Sequence, residues 1–268
     1  MTSAWPPLTP GDPDEIARRV SAVLEDAWQR LADEQRVAIV GLADNERLPQ
    51  VLARLEEFKK AITVFHSHVD DEARAFVQRQ MPWLYQRGAQ AAAEAVGSAF
   101  AWSQIHKDAL QALASDSYAD FIRHSQEAER MADQFYRAAR AAARVELPLL
   151  AAGNTTARQA AKALADRLTA DHQLVHVIYR NGARVPVRAW AEAATLAKSA
   201  VAYNAGTLNR AAEAGVRHVQ VFDGFDCGWL AHTDPDKANG TIRTVEEAAQ
   251  APISHPRCSR AFGPRPDL

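Results

Sequence analysis

Cysteine, glycine and aromatic residues are scarce in this chain. Only two cysteines, Cys227 and Cys258, occur among its 268 residues, which is too few for a small fold held together by several disulfides. Aromatic residues make up 7% of the chain, and its 12 glycines form no phosphate-binding loop. Positive and negative charges nearly balance, with a formal net charge of −2, so the overall composition does not indicate a nucleic-acid-binding protein.

Long apolar runs are missing as well. No stretch approaches the roughly 18 to 20 consecutive apolar residues that a membrane helix needs. The first 13 residues contain four prolines and lack the basic and then apolar pattern of a secretory signal. We therefore expect a soluble protein that is made in the cytoplasm and has no membrane partner.

Alanine, in contrast, is abundant, and apolar residues recur at helical spacing through the first 150 residues. Asp12 followed by Pro13 is typical of a helix start, so residues 1–12 are predicted as an extended arm and residues 13–150 as a helical body. Four helices are predicted in the body: from Pro13 onward with Val20, Val23, Leu24, Trp28 and Leu31 in the core, from near Pro49 to Ile62, from near Trp83 to Phe100, and from near Asp108 to Leu147.

Beyond residue 150 the pattern becomes mixed. Residues 175–179 are β-branched and aromatic, and Asn181-Gly182 is a tight-turn dipeptide before residues 185–187, which predicts a β-hairpin. Other predicted elements are a helix over 157–168, a helix over 188–214 stopped by Gly215, and a strand over 216–222. Beyond Asp223 the chain is rich in turn formers, and no further helix or strand is predicted. The predicted fold class is mainly α: a helical N-terminal body and a small α+β C-terminal domain, residues 151–268, that contains the β-hairpin and a Cys/His-bearing tail.

Two short-spaced pairs of possible metal ligands lie in this tail. Cys227 is followed by His232, and His255 by Cys258; two such pairs, separated by a longer loop, are typical of a structural zinc site. Thiolate ligands favour zinc over magnesium or calcium. Two alternatives stay open. In the first, both thiols are small buried apolar groups and the histidines bond the turn backbone; in the second, Cys227 and Cys258 form a disulfide.

Other arrangements lack a part that their chemistry needs. His232, Asn239 and His255 imitate a metal-dependent nuclease, but no basic face surrounds them. Cys227 as a nucleophile has no recognisable oxyanion site. Serine and histidine neighbours occur only within helical patterns: Ser103 with His106, and Ser67 with His66 and His68. Three basic clusters are interpreted as solvated helix faces, with a local contact to DNA or a portal surface as the alternative: Arg18-Arg19, Lys59-Lys60 and Arg137 to Arg144.

A series of short motifs follows in a fixed order through residues 175–268. They are the hairpin and the start of the next helix (177–192), Ala202-Tyr203-Asn204, Leu208-Asn209, Ala214-Gly215-Val216, Val219-Gln220-Val221, Asp226-Cys227-Gly228, Gly240, Ser254-His255-Pro256-Arg257-Cys258-Ser259-Arg260, and the exit Phe262-Gly263-Pro264-Arg265-Pro266. In this order the motifs resemble the C-terminal domain of the minor head proteins of tailed bacteriophages, the Mu F-like family. The chain departs from the family pattern at two points: a paired C-x2-C is absent, so that His232 would replace a cysteine, and the closing cysteine is single.

The resemblance implies a component of the virion. Proteins of this family are few per particle and lie inside the head near the portal vertex, where they aid head assembly, DNA packaging or DNA ejection. The implied partners are the portal protein, the major capsid protein and packaged DNA, with the helical body as the partner-binding part and no catalytic residues. The alternative is an enzyme that acts during capsid assembly, either a head-maturation protease or a nuclease. A DNA- or portal-binding module without specificity for the head is a further alternative.

The zinc hypothesis predicts that Cys258→Ser lowers the zinc content of the purified protein and destabilises the C-terminal domain, because metal binding is coupled to folding. Elemental mass spectrometry measures the bound zinc, and circular dichroism follows unfolding. Titration of thiols in denaturant separates the disulfide alternative, in which the unmodified protein has no reactive thiol. Equal zinc content in the variant and the unmodified protein would contradict the zinc hypothesis.

Overall fold

The structure is a computed structural model, and it describes residues 13–44, 47–150, 155–179, 181–223 and 238–268. Most of these residues are helical, and short antiparallel strands occur toward the C-terminus. The predicted fold class, mainly α with a small α+β C-terminal part, is confirmed. The predicted arm, residues 1–12, lies outside the described residues. None of the described helices is long and apolar enough to cross a membrane.

Seven α-helices and five strands occur in the described residues. The helices are α1 Pro13–Ala43, α2 Leu48–Ala75, α3 Met81–Ala95, α4 Gln104–Leu150, α5 Thr155–Asp171, α6 Val187–Glu213 and α7 Val245–Gln250. A π-helical turn, Phe76–Gln80, connects α2 to α3. The strands are β1 His176–Ile178, β2 Arg184–Pro186, β3 His218–Phe222, β4 Ile242–Thr244 and β5 Ala261–Pro264.

The first helix begins at Pro13, where the sequence predicts its start. Four of its five predicted core residues are 1% exposed: Val20, Leu24, Trp28 and Leu31. Val23 is 40% exposed, so its prediction as a core residue is wrong. Successive residues of a helix are rotated by about 100°, so Val23 lies about 60° to one side of Val20, whereas the other core residues lie to the opposite side.

The third helix ends earlier than predicted. α3 stops at Ala95 and does not reach Phe100, because Gly97 adopts a left-handed backbone conformation with φ 67°. The N–H groups of Gly97 and Ser98 donate to the carbonyls of the preceding helical turn, which is the usual way in which a glycine caps a helix C-terminus. Residues 98–103 are consequently non-helical and lead into α4.

The π-helical turn between α2 and α3 accommodates Pro82. Proline has no N–H group, and in a regular helix its ring clashes with the carbonyl of the residue four positions earlier, here Gln78. The backbone stays helical at both ends of the turn, at Ala75 and Met81, and the Met81 N–H donates to the Phe76 carbonyl. The wider turn lets α2 continue into α3 despite the proline.

The chain divides into two compact units, each built from separate stretches of sequence. Within the described residues, the first unit draws on residues 13–21, 74–119, 191–223 and 238–268, and the second on residues 22–44, 47–73, 120–150, 155–179 and 181–190. Both units therefore include residues from either side of position 150. The boundary at that position between a helical body and a C-terminal domain stays a prediction.

Aromatic rings fill the core of the second unit. The Trp28 ring makes an edge contact with Phe65, with ring centroids 4.5 Å apart, and a tilted contact with Trp190 at 5.9 Å. Phe58 packs edge-on against Phe135 at 5.1 Å. Edge-to-face pairs of this kind are favourable beyond the area that they bury, so parts of α1, α2 and α4 and the start of α6 share one aromatic core.

The predicted β-hairpin also belongs to the second unit. β1 and β2 are antiparallel, with Val177 opposite Val185 and His176 opposite Pro186. Gly182 has the left-handed conformation, φ 78°, that the predicted turn dipeptide requires. Pro186 is the last residue of β2, and a strand end is one of the few places where a sheet tolerates proline.

A three-stranded antiparallel sheet in the order β4-β3-β5 lies in the first unit. Val219 and Val221 of the predicted strand β3 are fully buried. They share one core cluster with Leu208 of α6, Val245 of α7 and Phe262 of β5. The sheet therefore packs one face onto α6 and α7.

β4, α7 and β5 lie in the segment after Asp223, where turn formers are abundant and the sequence analysis predicts no helix or strand. Both strands are very short, and the Gly263-Pro264 pair inside β5 is typical of turns. A sequence signal for α7 was nevertheless present. Thr244 and Glu247 form a capping box, in which each side chain bonds the backbone N–H of the other residue.

α3 and α6 approach each other closely at two glycines. A Cβ atom at Gly88 would lie 1.9 Å from the carbonyl oxygen of Tyr203, and one at Gly206 would lie 2.0 Å from that of Tyr85. The Thr207 hydroxyl donates to the Gly88 carbonyl across this contact at 3.2 Å. Only glycine fits at both positions, so these two residues set the distance between the helices.

We predict that Gly88→Ala and Gly206→Ala each destabilise the protein by about 1–3 kcal/mol, because the added methyl group forces the two backbones apart. Helix propensity alone predicts the opposite sign, a gain of about 1 kcal/mol. The free energy of unfolding in urea measures the difference, and Ala91→Gly, at an exposed position of α3, calibrates the propensity effect. A Gly88→Ala variant as stable as the unmodified protein would refute the close approach.

Candidate functional site

The structure describes two of the four predicted zinc ligands. Cys227 and His232 lie outside the described residues. His255 and Cys258 lie in the turn that follows α7, and both are buried. In the part of the chain that the structure describes, no group of three or more His, Cys, Asp or Glu side chains could hold a metal ion. The zinc site therefore stays a prediction.

Hydrogen bonds inside the turn hold His255 and Cys258. The Cys258 N–H donates to the His255 carbonyl at 2.9 Å, and the Arg257 N–H donates to Nδ1 of His255 at 3.3 Å. A histidine that binds a metal through Nε2 carries its proton on Nδ1 and donates from there. Zinc binding through Nε2 would thus require His255 to release the Arg257 amide, whereas the alternative in which the histidine bonds the turn backbone fits this geometry.

The Cys258 thiol is more acidic than an ordinary cysteine. Burial raises its pKa, but hydrogen bonds from Ser254 and from the backbone, together with the charge of Arg260, outweigh burial and lower the pKa. The Ser254 Oγ lies 3.1 Å from the Cys258 Sγ. A lowered pKa favours the thiolate form, which suits both metal coordination and thiol chemistry. This property is therefore compatible with a zinc ligand and with a reactive thiol.

A buried ion pair lies next to this turn. Nε of Arg260 donates to Oδ1 of Asp223 at 2.6 Å, and Nη2 donates to Oδ2 at 3.1 Å; the two residues are 3% and 2% exposed. The Ala238 N–H also donates to Oδ2, at 2.8 Å. Burial raises the pKa of Asp223, but Arg260 and the Ala238 amide outweigh burial and lower the pKa. The pair is thus charged and two-pronged, the strong form of such a contact.

Asn204 of α6 connects the segments around the ion pair. Its side chain is buried, and its Nδ2 donates to the carbonyls of Pro252 and Arg260, both at 2.8 Å. On the far side of the pair, the Asp223 N–H donates to Oδ1 of Asn239 at 3.0 Å. Asn239, which the sequence offered as a nuclease residue, therefore bonds the end of β3 in this structure.

A second buried polar chain links α3, α4 and α6 in the first unit. His106 is fully buried; its Nδ1 lies 2.9 Å from the Tyr85 hydroxyl, and its Nε2 lies 3.2 Å from Oε2 of Glu213. The Asn209 amide donates to the Tyr85 hydroxyl at 2.8 Å, and Arg210 pairs with Glu213 at 3.2 Å. Sequence analysis missed this chain, because its members are scattered single polar residues within helical patterns.

The hydrogen bonds of this chain assign the tautomer of His106. The nearby Ser103 hydroxyl lowers the pKa of Glu213 against the effect of burial, and His106 and Arg210 lower it further, so the carboxylate accepts the Nε2 proton. Nδ1 is then the acceptor for the Tyr85 hydroxyl. Burial, opposed by the Asn209 amide, raises the pKa of Tyr85 to about 12. The tyrosine therefore keeps its proton and acts as a structural connector.

The serine and histidine neighbours noted in the sequence do not pair in this structure. The ring nitrogens of His106 bond Tyr85 and Glu213, and neither bonds Ser103. His66 lies within α2, with its Nδ1 3.4 Å from the Glu129 carboxylate. Residues two apart on a helix, such as His66 and His68, do not face one another.

Comparisons with known proteins add no relative to this description. No family model, no curated protein and no solved structure matches the chain. The motifs and the geometry described above therefore carry the functional argument.

We predict that Arg260→Met destabilises the protein by about 3–5 kcal/mol, because it leaves the buried Asp223 carboxylate without its charged partner. Arg265→Met is the matched control, since it removes the same charge from an exposed pair with Asp267 and should hardly change the midpoint of urea unfolding. Equal shifts for the two substitutions would contradict a central role of the buried pair.

Proposed function

We propose that this protein is a minor head protein of a tailed bacteriophage, associated with the portal vertex, that aids head assembly or DNA packaging and ejection. The starting point is the Mu F-like series of motifs in residues 175–268, which implies a hairpin, a helix, a strand and a closing His-Pro-x-Cys turn. The same segments form β1 and β2, α6, β3 and the turn before β5. The order of elements is the one that the motifs imply, and this agreement supports the proposal.

The observation that carries the proposal is the position of Asn204. This residue ends the Ala202-Tyr203-Asn204 motif, and its amide donates to the carbonyl of Arg260, the last residue of the closing motif, 56 residues away. It also bonds the carbonyl of Pro252. Motifs that describe one fold are expected to meet in space, and these two meet at one buried side chain.

The polar residues of the motifs bond other parts of the scaffold. Asn209 of the Leu208-Asn209 motif donates to Tyr85, and Arg260 is paired with Asp223. Side chains with internal partners build a rigid framework, which suits a protein that acts by binding other proteins through its surface. We therefore favour a structural component of the head over a protease or nuclease.

The helical part supplies the surfaces for such binding. α4 spans 47 residues, about 70 Å at 1.5 Å per residue, and long amphipathic helices are well suited to docking in grooves of a partner. In this proposal the partners are the portal and the major capsid protein, with packaged DNA as a further contact. Zinc, held by Cys227, His232, His255 and Cys258, would stabilise the tail.

Quantitative mass spectrometry of immature heads and mature particles from the source that encodes this chain tests the proposal. We expect the full-length protein at a few copies per particle, in the same fraction as the portal protein after disruption of the head. Cleavage of a co-expressed capsid precursor that is lost in His68→Ala would favour the protease alternative. Absence of the protein from both immature and mature particles would refute the proposal.

A further inference from the structure

A cleft of about 780 Å³ lies within the second unit, between α4 and the tip of the β-hairpin. Its lining is mostly polar and includes a guanidinium group, an imidazole, a carboxylate, a phenol, an amide and one aliphatic side chain. These belong, in that order, to Arg123, His124, Glu127, Tyr179, Asn181 and Ile178. None of these residues takes part in the polar networks described above. The cleft is therefore a separate feature whose chemistry is still unassigned.

The Tyr179 ring forms an exposed and well-supported wall of the cleft. The residue is 41% exposed, yet its backbone is fixed by hydrogen bonds with Ala183 and Gly182 at 2.9 and 2.8 Å. Its ring meets the His124 ring edge-to-face at 6.2 Å, and His124 packs in turn on Trp190 at 4.7 Å. Since Trp190 belongs to the aromatic core, the exposed tyrosine is held in place before any ligand arrives.

Two other side chains of the cleft, those of Arg123 and Asn181, have N–H groups that the described hydrogen bonds do not use. The Arg123 side chain is 61% exposed and bonds Asp120 through Nη2; its other N–H groups have no partner among the described residues. Oδ1 of Asn181 accepts the Ala183 N–H at 3.0 Å, and its NH2 group is a donor that the described hydrogen bonds do not use. The Glu127 carboxylate is paired with Arg130 at 2.6 Å, which offsets its repulsion of an anion.

We propose that this cleft binds a nucleotide unit, with the base stacked on Tyr179 and the phosphate held by Arg123. A partly exposed aromatic ring and an arginine that line one cleft are suited to single-stranded nucleic acid, because every base has a face that stacks and every phosphate accepts from a guanidinium. An apolar peptide side chain would bury little here, since Ile178 is the one aliphatic residue among the described residues of the lining.

The same chemistry could be supplied by a free nucleotide or by a single strand of nucleic acid. A base inside a duplex is stacked on both faces and paired along one edge, so double-stranded DNA does not offer a free base face to Tyr179. Asp120 and Glu127 nearly neutralise the cleft, so stacking supplies most of the affinity and the binding is weak. This inference does not depend on the role proposed for the protein in the phage head.

Fluorescence anisotropy of a labelled thymidine oligonucleotide with the full chain tests the inference. Tyr179→Leu should weaken binding about fivefold or more, because one stacked base contributes at least about 1 kcal/mol, whereas Tyr179→Phe should retain the affinity. Arg123→Gln should weaken binding and make it less sensitive to salt. In a plot of log affinity against log salt concentration, the steepness of the decline should fall by about 0.7, the value for one lost phosphate contact with a single strand. Arg79→Gln, which removes an exposed arginine of the π-helical turn, is the control and should change neither.

The competitors decide the source of the nucleotide. Displacement of the oligonucleotide by adenosine monophosphate at a similar concentration of phosphate groups supports a free nucleotide as the ligand, and displacement by unlabelled single strands alone supports a nucleic acid. The inference would be overturned if the unmodified protein bound neither the oligonucleotide nor adenosine monophosphate. It would also be overturned if Tyr179→Leu kept the full affinity, or if a duplex of the same sequence bound as tightly as the single strand. Circular dichroism of each variant checks that the fold is retained.

Discussion

The close approach of α3 and α6 at Gly88 and Gly206 is the contact on which most of the first unit depends. Since the two backbones almost touch, the Tyr85 hydroxyl of α3 reaches the Asn209 amide of α6 and, through His106 of α4, is connected to Glu213 one helical turn further. A wider separation would leave the buried Tyr85 hydroxyl and His106 ring without partners, at about 1–3 kcal/mol for each unsatisfied group. The two glycines therefore determine hydrogen bonding as well as packing.

α6 also positions the three-stranded sheet and the Asp223–Arg260 ion pair. The strands that follow α6 are short, with five residues in β3, three in β4 and four in β5, so their ladders alone give a marginal sheet. Leu208 packs under them, and Asn204 fixes the segment that leads to Arg260. A buried ion pair often adds little net stability over apolar residues. Its geometry here instead favours one arrangement of the Asp223 and Arg260 segments, since a two-pronged contact tolerates little displacement.

Local signals predicted much of the fold, whereas contacts between distant residues escaped the sequence analysis. Pro13, the Asn181-Gly182 turn and Gly215 act within a few residues of the element that they begin or end, and each of them predicted that boundary correctly. Tyr85 and His106 are bonded across 21 residues, and His106 and Glu213 across 107. No short stretch of sequence therefore contains all members of this hydrogen-bonded network. Cys258 and His255 were candidates because thiols and imidazoles are common metal ligands. Asp223 and Arg260 have the charged side chains usual at a protein surface, so their sequence did not predict a buried pair.

The motifs that suggested a head protein divide into two kinds by burial. Asn204 and Arg260, from the middle and the end of the series, are buried, and their side-chain nitrogens donate to other parts of the scaffold. Tyr179 and Asn181, from its first motif, are exposed at the tip of a hairpin and keep unused hydrogen-bonding groups among the described residues. Burial and internal bonding account for the first kind through stability alone. The second kind contributes little to stability, so recognition of a ligand or partner is the better physical reason for its side chains.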